Sequence, residues 1–167
     1  MFFKKRRLYL DHASATPVLQ EAIVATAEAQ KFFGNPGAIH AEAVQAKASL
    51  QNSRERVALL LGCKARDIVF TSGLTEANNL AVLGLARRLQ CQGVTLTGTH
   101  WITSSIEHAS VLETFSEIER LGGKVTHVDP NVNGLIEAAA VKRALKKETV
   151  CVSLFWGNNE IGTLTPL

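Results

Sequence analysis

Three short segments carry the residue types able to do chemistry. In Thr71-Ser72-Gly73-Leu74-Thr75-Glu76, hydroxyls flank a glycine where a β-branched run gives way to a helical pattern. The N–H groups at a helix start lack intrahelical partners and lie at the positive end of its dipole, so such a junction can cup a phosphate. The same Ser/Thr pair also serves as an ordinary N-cap. In Ser104-Ser105-Ile106-Glu107-His108, Ser104 and Glu107 have capping-box spacing and place His108 in the first turn of a helix. There an imidazole can stack on a flat ring or shuttle protons, or simply act as a polar cap. In Asn158-Asn159-Glu160-Ile161-Gly162, two adjacent amides can each donate and accept, although an ordinary loop also accommodates them.

The elements that must position these segments alternate in type. A helix is expected over residues 18–33, with Pro17 suiting its first turn, ended by Gly34-Asn35-Pro36-Gly37. A longer helix is expected over 39–61. Its Ala43, Ala46, Leu50, Val57, Leu60 and Leu61 share one face, and Gly62 follows as the residue after the helix end. Arg54 lies at the edge of that stripe, where a structural ion pair is expected. Strands are then expected over 67–72, 100–104, 124–128 and 149–156, with helices over 75–90, 107–121 and 137–147 between them. Gly73 is expected to allow a tight strand-to-helix turn. Lys142, Arg143, Lys146 and Lys147 suit the negative end of the last helix. Strand–helix alternation of this kind predicts an α/β fold with a mostly parallel sheet flanked by helices. Ligands on such sheets bind beyond the carboxyl ends of the strands, where all three segments would meet. A phosphate cup, a flat ring and an amide pair suit a planar phosphorylated cofactor such as pyridoxal phosphate, though spacing alone does not decide it.

Composition excludes several other classes. The 167 residues are 46% hydrophobic and 20% charged, which rules out a disordered tail or a coiled coil. A formal net charge of +3 is too small to argue for nucleic acid, and no apolar run reaches the roughly 18 residues of a membrane span. Met1 to Arg7 places two aromatics before four cations and reads as a solvated extension rather than a secretory signal. The glycines form neither G-x-G-x-x-G nor a P-loop, since Thr99-His100 follows Gly98 where Lys-Ser/Thr is required. G-x-S-x-G and H-E-x-x-H are absent. Cys63, Cys91 and Cys151 are isolated, which argues against a disulfide framework or metal site and fits a reducing cytoplasm.

Taken in order, the segments resemble the cysteine desulfurases, within the class V aminotransferases of fold-type-I pyridoxal-phosphate enzymes. The resemblance runs from Tyr9-Leu10-Asp11-His12-Ala13-Ser14-Ala15-Thr16-Pro17 through Phe33-Gly34-Asn35-Pro36 and Leu60-Leu61-Gly62-Cys63. It continues through Ile68 to Glu76 with Asn79-Leu80-Ala81, Glu107-His108-Ala109-Ser110-Val111-Leu112, and Asn158-Asn159-Glu160-Ile161-Gly162. The last form points to the branch serving iron–sulfur cluster assembly and tRNA thiolation. The resemblance implies an N-terminal arm over 1–17 and, over 18–167, the first portion of the large cofactor-binding domain. It implies that Leu74 and Thr75 hold the phosphate of pyridoxal 5′-phosphate, that His108 stacks on the pyridine and acts catalytically, and that Asn159 lies near cofactor and substrate. Asn35 would line the substrate entrance. Leu74 departs from the more usual Ala.

In such enzymes a cysteine thiolate takes the sulfur of L-cysteine as a persulfide and alanine is left. The resemblance implies a homodimer or a complementing C-terminal half, with an iron–sulfur scaffold or another sulfur acceptor as partner, and no membrane or direct nucleic-acid contact. Several expected pieces are missing from these 167 residues. They are the Ser-x-His-Lys segment, the Asp facing the pyridine nitrogen, the nearby Gln, the substrate-carboxylate Arg and the loop with the nucleophilic cysteine. None of Cys63, Cys91 or Cys151 matches that nucleophile. The chain alone is therefore expected to be inactive. Another class V enzyme, a selenocysteine lyase or a non-catalytic remnant remains open from residues alone.

Overall fold

The computed structural model describes residues 7–166, so the extension expected over residues 1–7 lies outside the described residues except for Arg7. The chain divides into two compact units, one ending at Phe70 and the other starting at Thr71.

The first unit is helical. Helix α1, Gln20–Ala29, begins after Leu19, so Pro17 stands before the helix instead of in its first turn. Helix α2, Ala41–Leu61, begins at His40, whose Nδ1 accepts the Ala43 N–H at 3.3 Å. It ends as expected on Gly62, in the left-handed conformation at φ 64°. Between the helices Asn35 shapes a turn, its Oδ1 accepting the Gly37 N–H at 2.9 Å. Gly34 lies so close to the backbone of Glu42 and Ala43 that any side chain would collide with it. The expected apolar stripe of α2 is only partly used: Ala43 and Ala46 are buried, joined by Ala58 from outside it, whereas Leu60 is 85% exposed. The small residues are the buried ones, Val57 is half-buried, and the leucines are exposed. Arg54 has no acidic partner among the described residues. It donates to Gln51 Oε1 at 3.0 Å and lies over the Phe70 ring at 5.3 Å.

The strand expected over 67–72 is absent. Ala65–Asp67 form a single 3₁₀ turn, and the chain beyond is extended without a ladder partner. A β-rich run becomes a strand only when a neighbour takes its backbone hydrogen bonds, and no described strand does so.

The second unit is the α/β body. Helix α3, Leu74–Cys91, precedes β1, His100–Ser104; α4, Ala109–Arg120, joins it to β2, Lys124–Val128; α5, Ala138–Ala144, leads to β3, Thr149–Ser153. The strands run parallel in the order β2-β1-β3. Trp101 and the facing residues of α3 and α4, among them Val82, Ala86, Val111, Phe115 and Ile118, fill one side of the sheet. Ile102, Val128 and Ile136 fill the other, with α5 packed against them. Helix α5 is shorter than expected because Leu145 turns to extended backbone; Lys142 and Arg143 occupy its last turn, while Lys146 and Lys147 fall beyond it.

At the amino end of β1 the buried His100 ties the three strands together. One ring nitrogen meets Thr149 Oγ1 and the other Thr126 Oγ1, each at 2.8 Å. Burial lowers its pKa, reinforced by the charges of Lys146 and Lys124 and opposed by Glu148. A base whose pKa is lower folded than unfolded binds more protons in the unfolded chain. Its contribution to stability is present above the unfolded value, about 6.5, and declines as pH falls below it. The melting temperature should therefore drop between pH 7.5 and pH 5.5. The drop should be smaller in His100→Gln than in wild type when both are followed by circular dichroism.

Candidate functional site

Helix α3 starts at Leu74 with Gly73 as its N-cap residue. The backbone of Gly73 is extended, at φ 166°, which any residue adopts, so the expected tight glycine turn is not what the position requires. A Cβ built there meets nothing within 4 Å, so the space beside the helix start is open. The first intrahelical donor is the Ala77 N–H, to Gly73 O at 3.1 Å. The N–H groups of Leu74, Thr75 and Glu76 precede it and face outward along the dipole. Leu74 and Thr75 are both exposed. Ser72 is already engaged: its N–H and its hydroxyl both donate to Glu76 Oε2 at 2.6 Å. Those bonds hold the Glu76 carboxyl below its ordinary pKa, the hydroxyl contributing more.

At the carboxyl end of β1, Ser104 and Glu107 do pair, Ser104 Oγ donating to Glu107 Oε1 at 3.1 Å. They do not form a capping box, because Ser104 is the last residue of the strand and the helix begins later. His108 itself is the N-cap of α4, its Nδ1 accepting the Ser110 N–H at 3.1 Å. The imidazole is exposed. Glu107 Oε1 also accepts the Phe155 N–H at 2.8 Å, which fastens the loop after β1 to the segment after β3. Burial raises the pKa of Glu107, and the bonds from Phe155 and Ser104 work against that rise.

Strand β3 ends at Ser153, earlier than expected, and the chain turns through the amide pair. The structure separates two residues that sequence treats alike. Asn158 is buried and organises the loop: its Oδ1 accepts the Glu160 and Ile161 N–H groups at 2.9 and 3.0 Å, and its Nδ2 donates to Ile106 O at 3.1 Å. Asn159 is exposed and its amide reaches only Glu160 Oε1, at 3.1 Å. Gly134 supports this loop from the side. It sits at φ 74°, accepts from Thr163 Oγ1 at 3.1 Å, and would place a Cβ against the end of Ile161.

Three of the expected segments are thus joined within one unit. Asn158 and Glu107 link the carboxyl ends of β1 and β3, and Asn78 of α3 donates to Ser110 Oγ of α4 at 2.9 Å, drawing the α3 and α4 starts together. In the order β2-β1-β3 the chain leaves β1 first to one side and later returns to the other, so the carboxyl ends of β1 and β3 mark the switch point of the sheet. Asn35 belongs to the other unit, with its side-chain oxygen used in its own turn. Asn78 and Ser110 are contributors that the sequence alone does not single out, while Glu107 and Asn158, expected as a capping partner and half of an amide pair, act as braces between loops. Asn78 carries one signal, since it lies three residues after Thr75 and so on the same helix face. Cys63 and Cys91 are exposed; Cys151 is half-buried against the core, and burial raises its pKa.

Residues 8–167 match the family described as aminotransferase class-V. The chain is 38% identical over 164 residues to the cysteine desulfurase IscS of Dictyoglomus turgidum, covering 98% of this chain and 40% of that protein. It is 40% identical over 164 residues to the cysteine desulfurase IscS of Vibrio cholerae, covering 96% of this chain and 39% of that protein. Among solved structures it resembles SspA in complex with cysteine, with a TM-score of 0.87 and 39% identity, over 95% of this chain and 44% of that one. The chain therefore spans about two fifths of the length of these curated relatives.

The Glu107 bridge generates a testable contrast. Glu107→Gln keeps an oxygen acceptor for the Phe155 N–H and removes a carboxylate that burial disfavours, so its stability at pH 7 should match or exceed wild type. Glu107→Ala leaves that N–H unpaired and should cost about 1–3 kcal/mol in urea unfolding. Equal losses in the two variants would refute a bridging role.

Proposed function

This chain belongs to the aminotransferase class-V family, and from that premise we propose that it forms the pyridoxal 5′-phosphate-binding part of a cysteine desulfurase. The substrate is L-cysteine, the products are alanine and a persulfide, and the sulfur passes to an iron–sulfur scaffold or another acceptor protein. The reading rests on one observation: hydrogen bonds gather the uncovered start of α3, the exposed imidazole of His108 and the loop carrying Asn159 at the switch point of a parallel sheet.

The donor set fits the cofactor. A phosphate suits the outward N–H groups of Leu74 and Thr75 together with the Thr75 hydroxyl. The Leu side chain at 74 is 64% exposed and lies outside the core, so its difference from Ala leaves the backbone donors unchanged. An exposed imidazole suits stacking on a pyridine face and holding a proton beside the reacting carbon. The Asn159 amide suits hydrogen bonding to cofactor and substrate oxygens. When bound, pyridoxal phosphate supplies the electron sink that lets an amino acid bear negative charge next to its nitrogen. Asn35 is proposed as a substrate-entrance residue and residues 18–167 as part of the large domain.

Two features support a macromolecular partner, either a second copy or a complementing polypeptide. The sheet has open edges at β2 and β3 among the described residues, and Val150 and Val152 on β3 are 36% and 43% exposed. A cytoplasmic setting is proposed from the unpaired thiols; no described helix is long and apolar enough to cross a membrane.

Titration of pyridoxal phosphate into the chain, read by calorimetry, should show saturable binding that weakens at least about tenfold in Thr75→Asp, where a carboxylate would face the phosphate. Absence of saturable binding in wild type would overturn the proposal. With L-cysteine added, alanine should stay at the level of a buffer blank, because the cofactor-bearing lysine segment is not among these residues; alanine above that level would contradict the assignment of roles.

A further inference from the structure

The chemistry of His108 is decided by residues behind it. Ser110 is buried in the first turn of α4 and meets His108 twice: its N–H donates to Nδ1 at 3.1 Å, and its Oγ lies 2.8 Å from the same nitrogen. On the far side Asn78 Nδ2 lies 2.9 Å from Ser110 Oγ. A backbone N–H can only donate, so Nδ1 must present its lone pair. An amide NH₂ can only donate, so Asn78 occupies a lone pair of Ser110 Oγ and leaves the hydroxyl proton for His108. Both constraints point the same way along the chain Asn78 to Ser110 to His108. The remaining ring proton then has one place, Nε2, on the side of the ring away from Ser110.

We infer that Asn78 and Ser110 are positioning residues that lock neutral His108 as the Nε2–H tautomer, so that the ring offers a hydrogen-bond donor, and not an acceptor, to whatever occupies the site. The inference deepens the function proposed above, on which the identity of that occupant rests. It assigns His108 the part of proton holder at Nε2, toward a substrate or cofactor atom able to accept. It also couples two ends of the site. Asn78 lies one turn along α3 from Thr75, so the first turn of α3 and the ring at α4 are linked through the helix that carries both residues.

The test needs no cofactor. Ring-nitrogen resonances of the uniformly ¹⁵N-labelled chain, read at pH 8.5 by long-range proton–nitrogen correlation, distinguish a bare nitrogen from one that carries hydrogen. Wild-type His108 should show a bare Nδ1 and a protonated Nε2. Asn78→Asp keeps the shape of the side chain but offers only acceptors, so the Ser110 hydroxyl should turn to the carboxylate and present a lone pair to Nδ1. With the Ser110 N–H still donating, Nδ1 should stay bare, but its shift should move toward that of a less strongly bonded nitrogen. Ser110→Ala should move Nδ1 toward the position of an unbonded nitrogen, and Ser110→Thr should restore the wild-type pattern. A role limited to packing would leave the ring shifts of the isosteric Asn78→Asp unchanged, and that result overturns the inference, as does a wild-type proton on Nδ1. Should the tautomer behave as expected while pyridoxal phosphate fails to bind, the functional proposal falls and the tautomer lock stands.

Discussion

The candidate site depends on one half-buried carboxylate. Parallel strands end side by side, but nothing in a parallel ladder fixes the loops that leave them. Here one oxygen of Glu107 takes a hydroxyl from its own loop and a backbone N–H from the segment after β3. That oxygen sets how far apart two chain segments can lie just where the sheet changes direction. Asn158 repeats the link from the opposite side, using a side-chain amide on the carbonyl of Ile106. With both in place, His108 and Asn159 emerge from loops whose bases are held while their own side chains stay exposed. Rigid support beneath exposed polar groups is the arrangement a binding site needs.

Much of the α/β body can be read from residues. Strands β1 and β2 are observed over the expected residues because each is a short run rich in β-branched or aromatic side chains, bounded by turn formers. The end of α2 at Gly62 follows from the same kind of local rule. What local rules miss is anything set by two distant segments at once. The run from Ile68 to Phe70 has strand composition, yet a ladder is a property of a pair. The large apolar residues of α2 share a helical face with Ala43 and Ala46, yet only packing decides which part of a face is covered.

The site shows the same division. Ser104 and Glu107 have capping spacing and are bonded, but the bond serves the strand end and the cap falls to His108, because the helix starts later than the spacing implied. Asn158 and Asn159 are chemically identical neighbours. One is buried because its carbonyl oxygen can close a turn onto the two N–H groups ahead of it; the next points outward because that turn is already closed. Asn78 and Ser110 are separated by most of α3 and all of β1, so their meeting is a tertiary fact. The resemblance points to the exposed His108 and Asn159, while the contacts that brace them are made between segments distant in sequence.

The contact between Gly134 and Ile161 ties together two stretches that share no strand pairing. The connection from β2 into α5 lies apart from the loop carrying Asn159, yet its backbone occupies the space against which that loop rests. Drift in length or bulk at this remote bend would be transmitted as displacement of the Asn159 amide. A segment with no chemistry of its own therefore inherits the tolerances of one that has it.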